Sequence, residues 1–100
     1  MKVELLYWEE CPSHPEALEL LRGALAERGV EADVELREVR TQEEAEALHF
    51  PGSPTIRIDG RDVDEAGARQ RPALTCRIYH HPGGRVSPVP TREQLLEALP

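Results

Sequence analysis

Apolar and polar positions alternate in two rhythms along the 100 residues, and each stretch predicts its own element. Residues 3 to 8, VELLYW, are strand formers, and the run LLYW is apolar on both faces, as in a strand covered on each side. From Ala17 to Leu25 the residues Leu18, Leu21 and Leu25 recur at helical spacing with Ala17, Leu20 and Ala24 beside them, while Glu16, Glu19, Arg22 and Glu27 point away. That pattern predicts an amphipathic helix stopping at Gly29. ADVELREV, 32 to 39, sets Ala32, Val34 and Leu36 against Asp33, Glu35 and Arg37, the alternation of a half-exposed strand at a sheet edge.

In TQEEAEALH, Thr41 followed by Glu44 predicts a capping box and a short helix. FPGSP then breaks the chain, and TIRI predicts a strand over 55 to 58. Asp59-Gly60 is a preferred pair for a two-residue hairpin turn, which predicts a short strand at 61 to 64, RDVD. EAGARQRP is polar and reads as loop. LTCRIYH, 74 to 80, alternates Leu74, Cys76 and Ile78 with Thr75, Arg77 and Tyr79. The fourth strand is therefore either RDVD, which the Asp-Gly signal favours, or 74 to 80 after a long loop. HPGGRVSPVP has enough glycine and proline to exclude regular structure. TREQLLEAL closes the chain as a helix, with Thr91 and Gln94 as a second capping box and Leu95, Leu96 and Leu99 as its apolar face.

Composition narrows the picture. A chain of this length supports one core, so residues 1–100 form one domain with 65–90 as an inserted or irregular segment. A formal charge of −7 argues against nucleic-acid or anionic-lipid partners, and the arginines are scattered as on a solvated surface. No apolar run approaches the roughly 20 residues of a membrane helix. MKVELLYWEE lacks the basic start and apolar core of a secretory signal, so the expected compartment is the cytoplasm. Two cysteines in a cytosolic protein point to reduced, redox-active or metal-bound thiols rather than a permanent staple.

Cys11 stands between the first strand and the first helix, where unpaired N–H groups and the helix dipole favour a thiolate. Pro12 as the first helical residue makes Cys11 the N-cap but leaves Pro15 costing a hydrogen bond; Ser13 as N-cap, with Glu16 closing a capping box, avoids that. The competing view is a small residue buried against Trp8. A protonated His14 stabilises the thiolate and can return a proton, whereas Glu9 and Glu10 act in the opposite sense. Cys76 shares its face with Leu74 and Ile78, which favours a buried structural role. If residues 65 to 80 fold back, it can instead resolve an adduct on Cys11, provided the Cα atoms come within about 4.4–6.8 Å. The same atoms offer Cys11-x-x-His14 and Cys76-x-x-x-His80, with His81 adjacent, as two ligand pairs for zinc or another soft ion.

A strand ending in an aromatic, Cys11 before a helix, a second strand and helix, then Ser53-Pro54-Thr55 opening a third strand and a hairpin together resemble the thioredoxin-fold superfamily. The nearer likeness is to glutaredoxin-like and small thioredoxin-like proteins, over about residues 1 to 64 and, more loosely, the final helix. The resemblance implies an α/β fold with a mixed four-stranded sheet and helices on both faces, plus an inserted segment before the C-terminal helix. It implies Cys11 as nucleophile and Pro54 as a cis-proline whose preceding backbone is free to pair with an extended thiol-bearing substrate. Cys11-Pro12-Ser13-His14 departs from the family's Cys-x-x-Cys, since a histidine replaces the resolving cysteine. The expected function is thiol-disulfide exchange with a thiol- or disulfide-bearing protein or small molecule, with glutathione as a candidate reductant. Two other classes remain: a protein that handles zinc or a soft ion such as mercury through Cys11 and His14, with Cys76 and His80, and a non-catalytic binding module on the same fold.

Overall fold

A computed structural model describes residues 1–100. In chain order the main elements are β1 (Val3–Tyr7), α1 (His14–Glu27), β2 (Val34–Glu38), α2 (Gln42–Leu48), β3 (Thr55–Ile58) and β4 (Arg61–Asp62), then β5 (Tyr79–His80), β6 (Val86–Ser87) and α3 (Arg92–Ala98). β1 to β4 form a mixed four-stranded sheet in the order β2-β1-β3-β4, and β5 and β6 form a separate two-stranded ribbon. β1 and β2 run parallel, a pairing that needs a crossover, and α1 supplies it. β3 lies antiparallel to β1, with Leu5 opposite Ile56, and β4 antiparallel to β3. The Asp-Gly turn joins these last two: Asp59 and Gly60 have φ of 51° and 81°, both in the left-handed region that this hairpin requires.

The doubly apolar run in β1 explains how both faces of the sheet are covered. Val3 and Leu5 join Ile56 and Ile58 under Ala17, Leu21, Ala24 and Leu25 of α1, with Leu95 of α3 and Leu99 at its C-terminal end. Leu6 points the other way and packs with Val39, Ala45 of α2 and Phe50. Both predicted caps on the later helices form in part or in full. Thr91 and Gln94 make a reciprocal capping box. Thr41 accepts from the Glu44 N–H, but the Glu44 carboxylate accepts from Arg40 N–H rather than from Thr41.

Several expectations need correction. Ser13 is the N-cap of α1, yet its side chain makes no capping bond, so the Ser13–Glu16 box does not form. Leu36 is half exposed, because β2 is an edge strand with nothing packed outside it there. The fourth strand is the one after the Asp-Gly turn, shortened to Arg61–Asp62. Residues 81–90 are not wholly irregular: Val86–Ser87 pairs with Tyr79–His80 across a turn at Pro82–Gly84.

The largest correction concerns residues 74 to 80, whose facing is reversed from Cys76 to Tyr79, although Leu74 still packs against the cluster of Leu6, Val39, Ala45 and Phe50. Arg77 and Tyr79 are buried, while Cys76 and Ile78 are exposed. Each long side chain finds partners for its polar head, and its body can then enter the core. Tyr79 donates its hydroxyl to the Pro54 carbonyl at 2.7 Å, and Arg77 pairs with Asp62. The expectation that the arginines are uniformly solvated fails at Arg77.

Candidate functional site

Cys11 sits in the turn between β1 and α1, where its N–H donates to the Trp8 carbonyl at 3.0 Å. It is fully buried, three residues ahead of the first helical residue and so outside the turn where the dipole acts most strongly. Trp8 N–H donates to the Ser53 hydroxyl at 2.9 Å, which ties this turn to the loop before β3. The Ser53–Pro54 bond is cis, and the Ser53 carbonyl oxygen lies 3.5 Å from the Cys11 sulfur.

Residues 72 to 77 run back across this loop. Ala73 N–H donates to the Phe50 carbonyl, Ser53 N–H to the Thr75 carbonyl at 2.7 Å, and Arg77 N–H to the Ser53 carbonyl at 2.8 Å. Ser53 and Cys76 thus pair as an isolated parallel bridge. The result places Cys76 against Cys11, and the two form a disulfide with Cα atoms 5.6 Å apart. Gly52 is what permits so close an approach. At φ 133°, a Cβ there would lie 2.9 Å from the Arg77 Cα.

Arg77 locks this strap. Its guanidinium donates twice to Asp62 at 2.7 Å, once to the Asp64 carbonyl at 2.9 Å and once to the Thr55 hydroxyl at 3.3 Å. It also lies over the Tyr79 ring, 4.5 Å from the centroid. Burial works against the Arg77 charge, but the hydrogen bond and charge of Asp62 outweigh it, so the guanidinium holds its proton more tightly than usual.

His14 is not aimed at the disulfide. Its Nδ1 lies 3.3 Å from the Cys11 carbonyl, which can only accept, so Nδ1 carries the proton. The ring stacks on Tyr7 at 4.3 Å between centroids. Pro54, next to Ser53 in the chain, is buried, and His80 lines the same groove as Cys76. No group of three or more His, Cys, Asp and Glu side chains is placed to hold a metal ion. The ligand pairs read from the sequence are not assembled, since Cys11 and Cys76 are bonded to each other. Sequence reasoning missed Arg77, Asp62, Tyr79 and Gly52. The Gly-Ser-Pro-Thr run marks the loop, but nothing local marks the segment that crosses it.

The Tyr79 phenol gives this locking a pH signature. Burial pushes it above its ordinary value near 10, with Arg77 opposing only in part. The folded state therefore holds the phenolic proton more tightly than the unfolded chain. Stability should be insensitive to Tyr79 below about pH 10 and fall above it, by at most about 1.4 kcal/mol per pH unit. Urea unfolding of the oxidised protein at pH 8 to 11 should show this fall, and Tyr79→Phe should flatten it while being weaker at neutral pH. Equal slopes for the two proteins would remove Tyr79 as the cause.

No helix is long and apolar enough to cross a membrane. Compared with protein-family models, curated protein sequences and solved structures, the chain matches none of them.

Proposed function

We propose that this chain is a thiol-disulfide exchange protein of thioredoxin-like build, with Cys11 and Cys76 as its redox pair. The carrying observation is the placement of the Cys11–Cys76 bond: it joins a strand-to-helix turn to a segment bridged on Ser53, directly before Pro54. The sheet order β2-β1-β3-β4, with α1 and α3 on one face and α2 on the other, agrees with that build. A histidine stands where the family's second cysteine stands, and Cys76 supplies the missing sulfur from 65 residues away. The strap is held by Arg77 and Tyr79 independently of the bond, so both sulfurs stay opposed after reduction and can close again.

The test is a titration of the native protein in glutathione or dithiothreitol redox buffers, followed by acid quench and alkylation. Both thiols should appear together, as one two-electron couple, without denaturant. A bond that yields only after unfolding contradicts the proposal and leaves a structural staple.

A further inference from the structure

Resting on the exchange role just described, we propose that Cys76, not Cys11, is the sulfur that meets the outside partner, and that this partner is a small thiol or its disulfide. Cys11 has no exposed surface, and the strap lies across it. Cys76 is exposed and lines an open groove with Gln70, Arg71, Thr75, Ile78 and His80. An incoming thiolate must reach a disulfide sulfur along the S–S axis, and access decides which sulfur it meets. Of the two cysteines, Cys76 alone has surface open to such a partner.

The backbone sets the partner's size. An extended polypeptide docking at the residue before Pro54 needs the Ser53 N–H and carbonyl. Both are already engaged by Thr75 and Arg77, and the Arg77–Asp62 pair holds that engagement closed. A small thiol needs neither group.

In the exchange, a thiolate RS⁻ forms a bond to the Cys76 sulfur as the Cys76–Cys11 bond breaks, and the electron pair leaves on the Cys11 sulfur. That sulfur takes a proton from water, and the resulting S–H faces the Ser53 carbonyl 3.5 Å away. A second RS⁻ attacks the R sulfur of the adduct, releasing RSSR and the Cys76 thiolate. Two RSH are oxidised and the protein gains two electrons. In reverse, the Cys76 thiolate attacks RSSR and Cys11 closes the ring. The roles expected from the sequence are exchanged: Cys76 is the nucleophile and Cys11 resolves it.

The experiment treats the oxidised full-length protein briefly with glutathione, quenches in acid, alkylates, and maps adducts by peptide mass spectrometry. Glutathione should appear on Cys76 and the alkyl group on Cys11, in at least tenfold excess over the converse. In reduced single-cysteine variants, oxidised glutathione should modify Cys11→Ser at least tenfold faster than Cys76→Ser. A ten-residue peptide with one cysteine should exchange no faster than glutathione at equal thiolate concentration. Adducts on Cys11, or a peptide preferred by tenfold or more, overturn the inference while leaving the exchange role intact. Absence of exchange with any thiol in the native protein overturns both.

Discussion

Replacing Arg77 by alanine is expected to lower the stability of the oxidised protein by about 3–5 kcal/mol, measured by urea unfolding. The Arg77 and Asp62 side chains retain only 1% and 6% of their surface. Truncating Arg77 leaves a buried carboxylate without its counter-charge and removes the donors to Thr55 and Asp64. A domain of this size has a total stability of about 5–15 kcal/mol, so the loss is a large share of it. The pair itself is not an efficient stabiliser, because both ions are taken out of water and the Arg77 Nε finds no acceptor. Exchanging both partners for apolar residues, Arg77→Met with Asp62→Leu, is therefore expected to recover much of what the single change loses. A double variant as unstable as Arg77→Ala would show that the hydrogen bonds, rather than the orphaned charge, carry the effect.

Opening the Cys11–Cys76 bond is the second large effect. The two cysteines are 65 residues apart, and closing a loop of that length restricts the unfolded chain by about 4 kcal/mol at 25 °C. Reduction, or Cys76→Ser, should lower the unfolding free energy measured in urea by a comparable amount while leaving the far-ultraviolet circular dichroism nearly unchanged. The spectrum is expected to survive because Arg77 and Tyr79 still hold the strap. Residues 76 and 77 are neighbours that act on one segment, so the two losses should not add independently. In Arg77→Ala, reduction should free the strap, and amide hydrogen exchange at Ser53 and Arg77 should rise far above that of either single perturbation. Unchanged exchange there would mean that the strap is held by something other than Arg77 and the disulfide.

The parts legible in the sequence are those set by local rhythm. Leu5 and Leu6 announced a strand covered on both faces, Asp59-Gly60 announced its hairpin, and Thr91 with Gln94 announced the last helix start. Cys11 lies at the strand-to-helix turn that the flanking patterns predict, and the Ser53–Pro54 bond is cis, as the resemblance implies. The pattern over 74 to 80 misleads from Cys76 to Tyr79, because alternation says which residues share a face, and not which face is inside. Leu74, Cys76 and Ile78 are the more apolar set, but Asp62, Thr55 and the Pro54 carbonyl were waiting on the other side for Arg77 and Tyr79. Those partners lie 15 to 25 residues away in sequence, and no local pattern reports them. The same long-range closure brought Cys76 to Cys11, a pairing that the sequence offered only as an alternative.

The most direct measurement of the central claim is the reduction potential of the Cys11–Cys76 couple in the native protein at pH 7. A redox pair on an ordered strap should titrate as a single two-electron step between about −200 and −300 mV, within the span of exchange-active proteins. A potential well below about −300 mV, reached only as the protein unfolds, would contradict it and mark the bond as a fixed structural link.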